Sequence, residues 1–240
     1  MSIRAVLWDV DDTIFDYAAA DRAGMRAHLA AEGLTGLHGS VEDALLHWKE
    51  LTELHWRRYE DSLGDWQDQR RRRVRDFLER PSLTDAEADA WFGRYVAHYE
   101  AAWELFPDAL PVLDLLAADY RQAVLSNSSI HAQEPKLRAL GVRDHFEAVL
   151  CAAELGSAKP AAEAFHAGCT ALGLAPHEVA YVGDRPDTDA LGAQEAGLHG
   201  IWLDRADTGG RPGLHRITDL HQLLPLLRGD TRFGAPSTFG

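Results

Sequence analysis

Short apolar runs and longer helical repeats divide the chain into two textures. Ala5-Val6-Leu7-Trp8 is an uninterrupted apolar run that ends abruptly in Asp9-Val10-Asp11-Asp12-Thr13. This is the pattern of a buried strand that delivers acids to a sheet edge. The period then changes. Asp16 is placed to cap a helix from Tyr17 to about Glu32, rich in alanine and stopped by Gly33. Ser40 precedes a second helix, with Val41, Leu45, Trp48 and Thr52 at helical spacing to about Asp61, and Gly64 breaks the pattern. A third runs from about Asp65 to Leu78 and is closed by Pro81. Thr84 with Glu87 forms a capping box that opens a fourth, through Trp91, Tyr95 and Tyr99 to about Trp103. Residues 17–104 therefore read as four helices without a strand.

From Pro107 short apolar runs alternate with helical patterns of about a dozen residues, the signature of a parallel α/β sheet. Strands are predicted at Gln122 to Ser126, Ala148 to Cys151, Val179 to Gly183 and, as the last, Gly200 to Leu203. Helices are predicted over 109–118, 133–140, 161–173, 187–196 and 219–227. The fold class is α/β: a Rossmann-like three-layer α/β/α core with a parallel sheet, made of residues 1–16 and 105–228, interrupted by the helical domain at 17–104. The Gly-, Pro-, Ser- and Thr-rich stretch 229–240 reads as a frayed tail.

Composition narrows the function. The chain of 240 residues carries 38 Asp plus Glu against 24 Lys plus Arg, a formal charge of −14, which argues against holding nucleic acid by its phosphates and fits the use of a divalent cation. Cys151 and Cys169 stand far apart without neighbouring ligand residues, so neither a disulfide framework nor a zinc pattern is expected. No basic leader and no apolar run of about 18 residues is visible, and a cytoplasmic protein without a membrane partner is expected, as a monomer or a homodimer.

In open parallel sheets ligands bind beyond the carboxyl ends of the strands. The residues there are unusually polar: Asp9, Asp11 and Thr13 after the first strand, Ser126-Asn127-Ser128-Ser129 after the second, Ser157-Ala158-Lys159-Pro160 after the third, and Gly183-Asp184-Arg185-Pro186-Asp187-Thr188-Asp189 after the fourth. If strand geometry persists through Asp11, Asp9 and Asp11 share one face. Two carboxylates in one small volume then call for a cation between them or a retained proton, hence a metal site, an acid/base pair, or both. Capping of a following helix by Asp11, Asp12 and Thr13 would leave Asp9 without a reason.

With these motifs in this order the chain resembles the haloacid dehalogenase superfamily, in the form with a helical cap inserted after the first motif; the likeness spans about residues 1–228. The first motif corresponds to Asp9, Asp11 and Thr13, the second to Ser126 with Asn127, the third to Lys159 followed by Pro160, and the fourth to Gly183, Asp184 and Asp189, continued by Gly192-Ala193. The resemblance implies a phosphatase that takes a small phosphorylated substrate. Asp9 is then the nucleophile, Asp11 the acid and base, and Thr13 a residue that steadies Asp11 and its loop. Ser126, Asn127 and Lys159 are the phosphate-binding residues, Ser126 and Lys159 sharing in catalysis. Mg2+ is held by Asp9, Asp11 through its carbonyl, and Asp184, with Asp189 behind them.

Other readings share parts of this pattern. A phosphomutase uses the same core motifs. A 2-haloacid dehalogenase is disfavoured by Asp11, because displacing halide from carbon needs no acid for the leaving group, and a phosphoacceptor module that holds its phosphoryl group leaves the insertion unexplained. In the insertion, Arg70 to Arg73 with Arg75 reads as a solvated face, with attraction of an anionic substrate as the alternative. The aromatics Trp48, Trp56, Trp66, Trp91, Tyr95 and Tyr99 are assigned mostly to the core of the insertion, and His47 and His55, which could share a helix face, to its surface or core rather than to a metal.

Overall fold

The chain divides into two units, Met1–Asp16 with Glu104–Gly240, and Tyr17–Trp103. The computed structural model describes residues 2–62 and 66–229, so the break at Gly64 and nearly all of the predicted tail lie outside the described residues.

The second unit is built from α1 (Tyr17–Ala31), α2 (Val41–Ser62), α3 (Trp66–Phe77) and α4 (Asp85–Glu100). The Thr84/Glu87 box is present: the Glu87 amide donates to Thr84 Oγ1 at 3.3 Å and the Thr84 amide donates to Glu87 Oε2 at 2.8 Å. Met25, Leu29, Trp48, Val74, Phe77, Trp91, Phe92 and Tyr95 form the core. Asp21 is buried among them and accepts hydrogen bonds from Trp48 Nε1 at 3.2 Å and Tyr95 Oη at 2.5 Å, which satisfies a carboxylate that would otherwise be costly there.

The arginine run is not a solvated face, and this expectation is corrected. Arg73 is only 6% exposed, lies 4.5 Å over the Trp48 ring and donates to Thr52 Oγ1 at 2.9 Å. Arg70 stacks on Trp66 and Phe92. Arg71 pairs with Asp89 at 2.6 Å and Arg75 with Asp85 at 2.5 Å, tying α3 to α4; Arg72 stays at the surface. Guanidinium groups stack on aromatic faces and carry long apolar stems, so four in a row wrap a helix without being wasted on solvent.

The first unit carries strands β1 (Ala5–Trp8), β2 (Arg121–Ser126), β3 (Val149–Cys151), β4 (Val179–Gly183), β5 (His199–Leu203) and β6 (His215–Ile217). All pairings are parallel and the order is β3-β2-β1-β4-β5-β6, the doubly wound arrangement, with β1 central. Ala5 and Leu7 face a core of Ala123, Leu125, Phe165, Leu172, Val179 and Tyr181. On the other face Trp8 Nε1 donates to Gln122 Oε1 at 3.1 Å, and Gln122 Nε2 reaches the Leu113 carbonyl at 3.0 Å. The helices here are α5 (Ala109–Leu116), α6 (Ile130–Ala139), α7 (Ala152–Leu155), α8 (Ala162–Leu172), α9 (Gly192–Glu195) and α10 (Leu223–Leu227). Three elements differ from expectation. A sixth strand follows the one taken as last; two of its three residues at the sheet edge are polar, and so short a stretch gives little periodic signal. The helix expected over 187–196 opens as a π-helical turn, Pro186–Leu191, before α9. The helix expected over 219–227 opens as a 3-10 turn, Leu220–Gln222. Among the described residues no helix is long and apolar enough to cross a membrane.

His28 offers a test of the helical unit. Its ring is fully buried against Trp91, and neither nitrogen has a hydrogen-bond partner. Burial lowers its pKa from 6.5 to about 4, Glu32 opposing this and His98 and Arg94 reinforcing it. Between these values the unfolded chain binds more protons than the folded one, so the stabilisation is complete above about pH 6.5 and is lost as pH falls towards 4. His28→Leu should therefore flatten the acid limb of a thermal-unfolding profile by on the order of 2 kcal/mol. An acid limb identical to that of the unaltered protein would refute the assignment.

Candidate active site

The polar residues collect at the carboxyl ends of the central strands. β1 ends at Trp8, earlier than the sequence suggests, and Asp9 leaves it with its amide still bonded to the Val182 carbonyl at 2.9 Å. The chain then turns: the Val10 carbonyl accepts from the amides of Thr13, Ile14 and Phe15, and Asp12 takes a left-handed φ of 59°. Arg205, anchored to Asp108 at 2.9 Å, donates to the Thr13 carbonyl at 2.7 Å and fixes the loop from β5's side.

Because the strand stops, Asp9 and Asp11 do not share a partner. Asp9, 7% exposed, accepts from Lys159 Nζ at 2.7 Å and from Thr13 Oγ1 at 3.2 Å. Asp11 accepts from Lys136 Nζ at 2.5 Å and Gln133 Nε2 at 2.8 Å. Thr13 thus steadies Asp9, whereas its expected partner was Asp11; the turn at Asp12 carries Asp11 towards α6 instead.

Lys159 is the hub. Its ammonium has three protons and three acceptors: Asp9 Oδ1 at 2.7 Å, Asp189 Oδ1 at 2.8 Å and Tyr181 Oη at 2.6 Å. Burial opposes the charge, but Asp189 and Asp9 outweigh it and hold the pKa above the usual lysine range. Tyr181, on β4, donates in turn to the Leu125 carbonyl at 3.0 Å. Asp189 projects from the π-helical turn, and its Oδ2 accepts the Arg185 amide at 2.9 Å. A Cβ on Gly183 would stand 2.4 Å from the Asp189 carboxyl carbon, so only glycine admits this approach.

Asp9, Asp184 and Asp189 each present an oxygen within 4.8 Å of the others. Three carboxylates against the Lys159 ammonium leave two negative charges unmatched among these four groups. Burial pushes the Asp184 carboxyl up to about 8, with Asp9 and Asp189 adding to it, and burial pushes Asp9 up to about 6 against the pull of Lys159. A hard dication is the charge and donor chemistry that this cradle suits.

Ser126 closes β2 and is buried; its Oγ accepts from Gln133 Nε2 at 3.2 Å. Asn127, expected among the phosphate-binding residues, follows Ser126, and its side chain is engaged with the loop that carries Lys159. Its amide clamps the backbone of Lys159, accepting the Lys159 amide at 2.8 Å and donating to the Lys159 carbonyl at 2.9 Å. The sequence reasoning missed Gln133, Lys136, Tyr181 and Arg205. Gln133 and Lys136 sit three apart on α6, the only signal available for them, and Tyr181 reads as an ordinary core residue of a strand.

The haloacid dehalogenase-like hydrolase family profile matches residues 3–197. A phosphoserine phosphatase from Thermus thermophilus is 30% identical over 92% of this chain and 98% of its own length. A glyceraldehyde 3-phosphate phosphatase from Methanopyrus kandleri is 30% identical over 85% of this chain and 84% of its own length. The magnesium-bound structure of the HAD-hydrolase YfnB from Bacillus subtilis superposes with a TM-score of 0.82 at 23% identity, covering 95% of this chain and all of that one. The match over most of the sequence and the likeness to full-length relatives show that this chain belongs to the haloacid dehalogenase-like hydrolase family.

Proposed function

We propose that the protein is a magnesium-dependent phosphatase that hydrolyses a small phosphate monoester through an aspartyl-phosphate intermediate. The observation that carries this reading is the buried Asp9 carboxylate, bonded to Lys159 and beside Asp184 in a cradle two charges short of neutrality. The phosphatase relatives support it, and since they act on different esters the substrate is left at the class of small phosphate monoesters.

In this reading an oxygen of Asp9 attacks phosphorus while the ester P–O bond breaks, and the leaving oxygen takes a proton from Asp11. Asp11 then removes a proton from water, whose oxygen displaces Asp9 from phosphorus and releases inorganic phosphate. Ser126 Oγ and the backbone amides after β2 receive the phosphoryl oxygens, Asn127 among them through its amide, and Lys159 balances the charge that gathers there. Asp9 and Asp184, with the Asp11 carbonyl as the resemblance implies, would hold the cation, which when bound would offset the repulsion between the phosphoryl group and the carboxylates. Asp189 orients Lys159. Asp11 separates this reading from dehalogenation, which has no leaving oxygen to protonate. Both cysteines are buried and free, in keeping with a cytoplasmic setting.

Asp9→Asn, and separately a chelator, should each lower turnover of a generic aryl phosphate by roughly a thousandfold or more, with magnesium restoring the chelated sample. Full activity in either case would overturn the proposal. Asp184→Asn should weaken magnesium binding, measured by titration calorimetry, by roughly ten- to a hundredfold. Unchanged affinity would place the cation elsewhere.

A further inference from the structure

Asp11 is held by a device that the reaction scheme above does not use. Gln133 and Lys136 stand on one face of α6 and take one carboxylate oxygen each, Gln133 Nε2 on Oδ2 at 2.8 Å and Lys136 Nζ on Oδ1 at 2.5 Å. Both are buried, Gln133 completely and Lys136 to 4% exposure. The Lys136 ammonium also lies 4.3 Å over the ring of Phe15, from the loop that carries Asp11. Burying an ammonium and an amide between a helix and a loop is costly, and packing alone would be served by an aliphatic residue at either position. Gln133 has a second contact: Nε2 donates to Ser126 Oγ at 3.2 Å, which makes the serine oxygen an acceptor and leaves its proton to point elsewhere.

We propose that Gln133 and Lys136 are positioning residues for catalysis, acting together as a clamp on Asp11, with Gln133 also orienting the Ser126 hydroxyl. The inference rests on the reading of Asp11 as the acid and base. The clamp takes both carboxyl oxygens of Asp11 and so fixes the direction in which the group faces. It also keeps that carboxylate on α6, apart from Asp9 and its partner Lys159. Gln133 Nε2 links the Asp11 carboxylate to the Ser126 hydroxyl oxygen, while Gln133 Oε1 is buried without a hydrogen-bond partner. The contribution of the clamp is greatest where the leaving oxygen is strongly basic and least where the leaving group departs without help.

The test compares hydrolysis of an aryl phosphate with a good leaving group and of a simple alkyl phosphate, by wild type, Lys136→Met, Lys136→Arg, Gln133→Leu and Asp11→Asn, magnesium being present throughout. Lys136→Met should lose about tenfold more kcat on the alkyl ester than on the aryl ester, with KM little changed, and Lys136→Arg should recover most of that loss. Gln133→Leu should lose on both esters, more on the alkyl one, because it touches Ser126 as well as Asp11. The ratio of the two rates is read within one sample, so a partly unfolded variant leaves it unchanged. Equal losses by Lys136→Met on the two esters, or none, would overturn the clamp. Asp11→Asn separates the two failures: if it discriminates between the esters and Lys136→Met does not, only the clamp is wrong, whereas if Asp11→Asn does not discriminate, the acid/base reading and the clamp fall together.

Discussion

The buried ammonium of Lys159 is the interaction on which the catalytic unit depends. It is 5% exposed and reaches three oxygens from three segments, Asp9 after β1, Tyr181 within β4 and Asp189 on the turn after β4. An ammonium withdrawn from water costs several kcal/mol unless its protons are matched, and here all three are. The match draws the loop after β3 across the sheet towards β1 and β4, and Asn127 fixes that loop from β2 by bonding both ends of its amide to the Lys159 backbone. Removing any one acceptor leaves a buried charge short of a partner, so the geometry of Asp9 and the packing of the sheet edge are one problem.

The same hub leaves a set of carboxylates that a cation would suit. A single ammonium cannot neutralise Asp9, Asp184 and Asp189, and the raised pKa of Asp184, about 8, is the response of a carboxyl left in a dry and negative place. Protonation is one relief and a dication the other. The dication would let Asp9 and Asp184 be ionised together. The close approach of Asp189 to Gly183 belongs to this arrangement, since any side chain there would push Asp189 off Lys159.

Much of this was legible in the sequence because the groups follow strands. Asp9, Ser126 and Asp184 stand at or just past the ends of apolar runs whose parallel pairing brings them to one edge, and Lys159 follows the third run after a short connection, so order along the chain translated into proximity. What could not be read lies inside regular elements. Lys136, in the last turn of α6, has the spacing and chemistry of a surface lysine, and Tyr181 alternates correctly as a core residue. Their polar ends matter only once a second element is known to lie opposite. The arginine run failed for a related reason: charge predicts solvent, but Trp48, Trp66 and Phe92 supply aromatic faces from elsewhere in the same unit. The turn that follows β1 places Asp12 in a left-handed conformation that Asp tolerates without demanding, so the sequence does not announce it.

That left-handed turn resolves the crowding that two neighbouring aspartates would create. Had β1 continued in strand geometry, Asp9 and Asp11 would lie on one face and compete for one cation and one lysine. Instead Asp9 goes to Lys159 and Asp11 to Lys136, and each carboxylate meets its own ammonium. The separation is chemical as well as electrostatic. In the proposed reaction Asp9 must be ionised when it attacks, while Asp11 must give up a proton and take one back, and a pair sharing one proton could not do both. Two lysines on two elements give each aspartate an environment that can be set independently of the other, although only two residues separate them in the chain.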